Sequence, residues 1–165
     1  MSVKAGLPPI ARSDARLFLL GSLPGDASLA AGRYYAHPTN QFWRLLGEAL
    51  GEELQGLSYE QRLERLAVRR VGLWDVIASA RRPGSLDQAI RDAQHNQLVR
   101  LVPDFPDLRA IAFNGSTAAG VGRKLVGEPP PGLVLIDLPS SSAANTRSFA
   151  EKAVAWRALS QFVQP

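Results

Sequence analysis

Four short, almost uninterrupted apolar runs are the feature of this chain that most narrows its fold. Each run is four to six residues long, which suits a buried strand and is too short for a buried helix. Strands that are apolar on both sides need cover on both faces, as in a parallel sheet between two layers of helices. The predicted strands are Leu17–Leu20, Val71–Trp74, Ala110–Phe113 and Leu133–Leu138.

Helical patterns separate these runs. Apolar residues recur at i, i+3, i+4, i+7 and i+8 from Phe42 to Leu50, which is the spacing of one helix face. Ser58-x-x-Gln61 has the form of a capping box at a helix start, and this helix is expected to run to about Ala67. Further helices are predicted after a cap at Ser85-x-x-Gln88, over Gln94–Val102, over Ser116–Val126 and from Ser148 onward.

The alternation of strands and helices predicts an α/β chain. The expected architecture is a three-layer α/β/α sandwich around a short four-stranded, mostly parallel sheet. The 165 residues, 45% of them hydrophobic, fit a single domain over residues 1–165. The terminal stretches 1–9 and 164–165 are expected to be loose.

Composition removes several functional classes. The absence of cysteine excludes disulfides, thiolate metal sites and cysteine nucleophiles. The two histidines, His37 and His95, have no carboxylates at metal-binding spacing, so neither a metal nor a cofactor is expected. No signal-peptide core or membrane-length apolar run is present, which predicts a cytoplasmic protein without a membrane partner. The net charge of +4 favours polyanions, although it is equally typical of a solvated surface.

Three polar loops follow the predicted strands and should meet at one edge of the sheet. They span 21–40, 114–116 and 139–146. In open α/β sheets, ligands bind beyond the carboxyl ends of the strands. The first loop combines aromatic faces with amide groups, a chemistry that suits a nucleobase better than a phosphate or a metal.

Simpler interpretations of these residues remain open. The glycines after Leu20 lack the P-loop and dinucleotide-binding patterns and make a tight turn. Asn40 stands where an N-cap is common, and Asn114 where a strand-end turn is common. A triad of Ser140, His37 and Asp137 is conceivable, but the Gly-x-Ser-x-Gly elbow is missing.

The order of the motifs resembles the uracil-DNA glycosylase superfamily, and most closely its hypoxanthine (deoxyinosine) DNA glycosylase branch. The resemblance runs from about Leu17 to Trp156, and the second motif is long and specific. The motifs that carry it are Gly21-Ser22-Leu23-Pro24-Gly25, Tyr34-Tyr35-Ala36-His37-Pro38-Thr39-Asn40-Gln41-Phe42-Trp43, Gly72-Leu73-Trp74-Asp75-Val76, Phe113-Asn114-Gly115 and Leu138-Pro139-Ser140.

The resemblance implies a role for each matching residue. Asn40 supplies the catalytic amide, and Asn114 acts with it and contacts the extruded base. The base-binding set is Ser22, Leu23, Tyr35 and Asn114, with Tyr35 as the stacking platform. The DNA-binding set is Ser140, Ser141, Ser142, Ala143, Ala144, Asn145 and Arg147.

One departure bears on the substrate. Most branches of the superfamily carry Asp or Asn where this chain has Leu23, and leucine cannot orient a water molecule. The hypoxanthine branch shows the same lack, which favours hypoxanthine over uracil. Asp75 is either an auxiliary carboxylate or a strand-end residue that caps the next turn.

Three functions follow, in order of preference. The first is a monofunctional DNA glycosylase that excises hypoxanthine; the second is a uracil glycosylase of the G/U-mismatch type; the third is an inactive lesion-binding module. The expected partner is double- or single-stranded DNA containing a deaminated base. A monomer without an obligate protein partner is expected.

Overall fold

The computed structural model describes residues 2–163. In chain order, the strands are β1 Val3–Ala5, β2 Leu17–Gly21, β3 Val71–Asp75, β4 Ile77–Arg81, β5 Arg91–His95, β6 Ala110–Asn114 and β7 Val134–Leu138. The helices are α1 Asp26–Ala31, α2 Phe42–Leu50, α3 Tyr59–Val68, α4 Leu101–Asp104, α5 Ser116–Val126 and α6 Phe149–Trp156. Short 3-10 turns cover Asp87–Ala89, Leu98–Arg100 and Arg157–Phe162.

The central sheet has four strands in the order β3-β2-β6-β7, and every neighbouring pair is parallel. All four predicted apolar runs are therefore confirmed as its strands, with shifts of a residue at their ends. The register brings the carboxyl ends level: Gly21 lies opposite Asp75, and Asn114 opposite Leu138. The loops that follow these strands consequently leave the sheet at one edge.

Two hydrophobic cores cover the two faces of this sheet. One core joins β2 residues such as Leu17 and Leu19 to α2, α3 and α6. The other joins Phe18 and Leu20 to α5 and to the region around α4. The alternation of neighbouring β2 residues between the two cores is the period-2 pattern of a strand covered on both sides. The three-layer sandwich is thus confirmed.

The predicted helix starts at Ser58 and Ser148 are also confirmed. Ser58 and Gln61 form both bonds of a capping box at the start of α3. Ser148 accepts a hydrogen bond from the N–H of Glu151 at the start of α6. These side chains pair backbone donors that a helix start leaves free, which stabilises each helix by about 1 kcal/mol.

A second, antiparallel sheet was not predicted. It has the order β1-β4-β5 and packs on the side of the second core. Its strand β1 corrects the expectation of a loose stretch 1–9 for residues 3–5, while Met1 and 164–165 lie outside the described residues. Backbone pairing to β4 holds β1 in place, and the short sequence of β1 does not signal this pairing.

Two predicted helices are wrong for the same reason. Gln94 and His95 belong to β5, and the chain becomes helical only from Leu98. Ser85 does not cap a helix; its Oγ accepts a hydrogen bond of 2.9 Å from the N–H of Asp26. The segment 85–95 is mostly polar. Its second half, Arg91–His95, follows its pairing with β4 rather than its own periodicity. No helix within residues 2–163 has the length and apolar character of a membrane span.

Candidate base-binding site

The loops at the carboxyl edge of the central sheet enclose an open groove of about 1570 Å³. Every predicted site residue lines it. The prediction of convergent loops is therefore matched by the geometry, and the groove also takes in segments that the sequence did not indicate. These additional linings are 85–88 and the first turns of α5; Asp75, the candidate auxiliary carboxylate, also borders the groove.

Asn40 and Asn114 are joined through the hydroxyl of Ser141. Asn114 Nδ2 donates to Ser141 Oγ at 2.9 Å, and Ser141 Oγ donates to Asn40 Oδ1 at 2.8 Å. The N–H of Phe42 also donates to Asn40 Oδ1, at 3.0 Å. Because both bonds to Asn40 come from donors, the oxygen of its amide is fixed toward the protein and its Nδ2 hydrogens face the groove.

The amide of Asn114 is almost fully used within the protein. Its Nδ2 donates to Tyr35 Oη at 3.3 Å as well as to Ser141. Its Oδ1 accepts from the backbone N–H of Ser141 at 2.9 Å. Asn114 is buried, with 8% of its surface exposed, yet it borders the groove. One Oδ1 lone pair is left over, so Asn114 can offer a ligand an acceptor.

Tyr35 is held in a strained position over the groove floor. Its φ of 54° is in the left-handed region, which a bulky residue rarely adopts. Its ring stacks on Phe42 at a centroid distance of 3.7 Å and an interplanar angle of 8°. Trp43 Nε1 donates to the Tyr35 carbonyl at 3.2 Å. Such strain persists only where surrounding contacts enforce it, and it is typical of functional sites.

The Tyr35 hydroxyl remains protonated. Burial, helped by the nearby Asp75 carboxyl, raises the pKa of Tyr35 well above its usual range. The hydroxyl lies above Gly21, where a Cβ atom would be 3.0 Å from it and 2.6 Å from Asp75 Oδ1. Any side chain at Gly21 would therefore displace these groups.

The turn after β2 forms a wall of the groove. Leu23 is buried and packs into the second core. Ser22 is buried too, and its Oγ donates to Asp87 Oδ1 at 2.6 Å. Both residues border the groove, but Leu23 contributes only shape there.

Arg82, which the sequence did not single out, braces this turn. Its guanidinium is fully buried and donates to the carbonyls of Leu23, Pro24 and Gly84 at 3.2, 2.7 and 2.8 Å. Asp26 lies 3.7 Å away as a countercharge. No sequence pattern marks a buried arginine, because its burial depends on the backbone carbonyls that surround it.

Asp75 places a buried carboxyl at the end of β3. It is 3% exposed, and its Oδ2 has no hydrogen-bond partner within the described part of the chain. Burial raises the pKa of Asp75 to about 7; the Asp87 carboxylate adds to the shift, and Arg82 opposes it. The main-chain oxygen of Asp75 accepts a hydrogen bond of 2.8 Å from Asn96 Nδ2.

The loop after β7 is ordered by short-range bonds. Ser140 Oγ accepts from the N–H of Ser142, Ser142 Oγ from Ala144, and Asn145 Oδ1 from Arg147. Buried Lys152 fastens the loop from beneath: its Nζ donates to the Ser142 carbonyl and to Gln41.

The predicted DNA-binding residues of this loop all border the groove, but one of them is buried. Ala143, Ala144 and Arg147 are exposed, while Ser141 is completely buried. Its side chain therefore cannot contact a DNA backbone. The Ser141 hydroxyl instead joins the two asparagines, a role that the sequence did not predict.

The conceivable Ser-His-Asp triad is not formed. His37 Nδ1 bonds Thr39 within its own loop, at 2.8 Å to Oγ1, and Asp137 pairs with Arg123 at 2.9 Å. His95 is on β5 beside a separate cavity that includes Trp74. Among residues 2–163, no group of three or more His, Asp or Glu side chains is placed to hold a metal ion.

Charge is divided between the two sides of the groove. Arg123, Lys124 and Arg147 lie on the side of α5 and the loop after β7. Asp26 and Asp87 lie on the opposite side. Asp137 offsets Arg123, and Lys4 and Arg82 offset Asp26. Lys124 and Arg147 make the first side the more favourable one for a polyanion.

Comparison with known proteins identifies the family. The family model described as the uracil DNA glycosylase superfamily matches residues 8–160. The chain therefore belongs to the uracil DNA glycosylase superfamily.

Two curated relatives are named hypoxanthine DNA glycosylase. The one from Methanosarcina barkeri is 40% identical over 158 residues, covering 93% of this chain and 95% of the relative. The one from Methanosarcina acetivorans is 40% identical over 157 residues, covering 95% and 98%. A protein from Methanosarcina acetivorans solved by solution NMR has the same fold, with a TM-score of 0.86 and 39% identity over 98% of this chain and 99% of that one.

Proposed function

We propose that this chain is a monofunctional DNA glycosylase. It hydrolyses the N-glycosidic bond of a flipped deaminated base, preferentially hypoxanthine, and leaves an abasic site. The observation that carries the proposal is the Asn40–Ser141–Asn114 network, which presents two oriented amides to the groove. The names of the relatives and the presence of Leu23 in the turn after β2 support hypoxanthine as the substrate.

The base must first leave the duplex to reach the groove. Unpairing costs a few kcal/mol, and less at a mismatched or damaged base. Tyr35 already stacks on Phe42, so the base would stack on the opposite face of the Tyr35 ring. Stacking of this kind is worth about 1–3 kcal/mol per base.

Asn114 explains why hypoxanthine would be accepted and adenine rejected. Its remaining Oδ1 lone pair can accept the N1–H of hypoxanthine. Adenine has an acceptor at N1, and two facing acceptors in a buried site are costly. Uracil, guanine and thymine also carry an N–H at the corresponding edge, so Asn114 excludes adenine and cytosine and leaves the further selection to other groups.

Asn40 would hold the attacking water. Its Oδ1 already has two donors, so an Nδ2 hydrogen binds the water oxygen and leaves a lone pair free for C1′. The transition state is loose, with positive charge on the sugar and negative charge on the departing base. A neutral, pre-oriented amide can therefore suffice to hold the water, in a chain that has Leu23 in place of the usual Asp or Asn.

The test is a pair of duplexes, one with a single inosine and one with a single uracil, incubated with the protein and then treated with alkali. The proposal expects cleavage at inosine, slower or no cleavage at uracil, and none at adenine. Release of uracil without hypoxanthine would establish the uracil-glycosylase alternative. Binding of inosine DNA without any abasic site would instead establish an inactive lesion-binding module.

The binding partner, the localisation and the oligomeric state complete the proposal. The enzyme acts on DNA through the basic side of its groove, and we place it in the cytoplasm as a monomer. All the residues proposed to bind the base and the DNA border one groove of one chain. Mass measurement by light scattering, with and without inosine DNA, tests the monomer.

A further inference from the structure

Asp75 is the groove-lining group that the mechanism above leaves unused. Its carboxyl ends β3 beside Gly21, the last residue of β2. The missing side chain at Gly21 makes room for it, since a Cβ atom there would lie 2.6 Å from Asp75 Oδ1. Oδ2 has no partner within residues 2–163. A buried carboxyl oxygen without a partner is costly to keep, and this cost points to a ligand that uses Oδ2.

Its position assigns it to the base rather than to the water. Neighbouring strands are about 4.8 Å apart, and the strand order is β3-β2-β6-β7. The backbone of Asp75 is therefore about 10 Å from the end of β6, where Asn114 lies, and farther from Ser141, which follows β7 and bonds Asn40. The contacts run from Asp75 past the Tyr35 hydroxyl to Asn114, then Ser141 and Asn40, so a water held by Asn40 lies at the other end of this series. A fused-ring purine lying over Gly21 and Tyr35 would extend toward it.

We propose that Asp75 is a catalytic general acid that donates its proton to a ring nitrogen of the departing purine. This inference rests on the proposed glycosylase function. It gives the leaving group the assistance that Leu23 and the neutral amides cannot provide. Because N7 and N3 are the ring nitrogens that carry a free lone pair on hypoxanthine, the proton goes to one of these two.

The step balances without any further reactant. The C1′–N9 bond breaks, and its electron pair stays on the base. The proton moves from the Asp75 carboxyl to the ring nitrogen, so the base leaves neutral and Asp75 becomes a carboxylate. Water adds to C1′ and releases one proton, which returns to Asp75 through solvent in the open groove.

The surroundings allow both forms of Asp75 near neutral pH. Burial is the main cause of its raised pKa of about 7, and Asp87, on the 3-10 turn beside it, adds to the shift. Arg82 after β4 favours the carboxylate. Tyr34 and Tyr35 also face Asp75, and both remain neutral because burial raises the pKa of each phenol far above this range. A general acid works best with a pKa near the operating pH.

The experiment measures single-turnover release of hypoxanthine from an inosine duplex between pH 5.5 and 9. The wild-type rate should fall as the pH rises through about 7. Asp75→Asn should be about 10²-fold slower at pH 6 and lose this decline, because an amide donates a hydrogen bond but transfers no proton. A wild-type chain that releases no hypoxanthine refutes the proposed function. If the wild type is active and Asp75→Asn is equally active with the same pH profile, the general-acid role of Asp75 is refuted and the glycosylase function is not.

Two further arms keep the result clear. Duplexes with 7-deazainosine or 3-deazainosine each lack one ring nitrogen, so the cost of Asp75→Asn should vanish on one of them and identify the acceptor. A cost that persists in full on both overturns the proposal. Should Asp75→Asn fail to fold, Asp87→Asn tests the same idea, since removing that charge should move the wild-type decline to lower pH. An unmoved decline overturns it.

Discussion

Ser141 Oγ donates a hydrogen bond of 2.8 Å to Asn40 Oδ1, across 101 residues of sequence. Ser141 is completely buried, and its backbone oxygen also accepts from the N–H of Gln41 at 2.9 Å. The loop after β7 therefore clamps the residues that precede α2. This arrangement fixes the Asn40 amide before substrate arrives, which is how positioned groups lower a reaction barrier.

Asn40→Ala should lose turnover and keep DNA binding. We expect single-turnover release of hypoxanthine to fall by about 10²–10³-fold, the usual cost of removing one pre-oriented donor. Affinity for inosine DNA, measured by fluorescence anisotropy, should change little. Asn40→Asp is the matched control, because it keeps the acceptor for Phe42 and Ser141 but lacks the N–H donors. Full activity in Asn40→Ala would remove this residue from the mechanism.

Ser141→Ala should slow the reaction by acting through Asn40. The change leaves an Asn114 donor and an Asn40 lone pair without their partner, and we expect about a tenfold lower rate. In an Asn40→Ala background the same change should cost less, since only its bond to Asn114 is then lost. A double-mutant cycle measures this. Additive losses would show that Ser141 acts independently of Asn40.

Much of the central fold could be predicted because its signals are local. The run Leu17–Leu20 is apolar on both sides, which only a doubly covered strand explains, and Ser58 with Gln61 marks a helix start through bonds within one turn. The second sheet could not be predicted this way. The pairing of β1 and β5 with β4 is decided by distant backbone groups, and their own residues show no matching period.

The residues of the candidate site also divide into those that local motifs predict and those that depend on distant partners. Tyr35, Asn40 and Asn114 were found because they follow strands and stand in specific motifs, and the groove brings them together. The sequence did not predict the bridging hydroxyl of Ser141 or the buried guanidinium of Arg82. Both are defined by partners far away in sequence. A serine-rich loop suggests exposure, and only the fold shows that one of its members is turned inward.

Arg147→Ala should weaken DNA binding nearly equally for all sequences. Arg147 is exposed on the basic side of the groove, at the end of the loop after β7. Loss of one phosphate contact should reduce the slope of log affinity against log salt by about 1. Arg157→Ala, at an exposed position outside the groove lining, is the control. The same salt slope in wild type and Arg147→Ala would place the DNA backbone elsewhere.

Asp75→Asn should stabilise the fold, and increasingly so as the pH rises. The pKa of Asp75 is 3.8 in its ordinary state and about 7 in the folded chain. Between these values the folded state binds more protons than the unfolded state, so the free energy of unfolding falls with rising pH. The pKa shift corresponds to a loss of stability of at most about 4 kcal/mol, which is present in full above pH 7. Asparagine is neutral throughout and avoids this cost.

Chemical denaturation of both proteins at pH 4 and pH 8 measures the effect. The gain from Asp75→Asn should be larger at pH 8 than at pH 4 by up to about 4 kcal/mol. Asp107→Asn, at an exposed site, controls for the loss of one negative charge. A gain that is equal at the two pH values would mean that Asp75 is not destabilised in its ionised form. A pH-dependent gain would instead show that the chain keeps, at the end of β3, a carboxyl that lowers its own stability. Such a residue is expected where activity requires it.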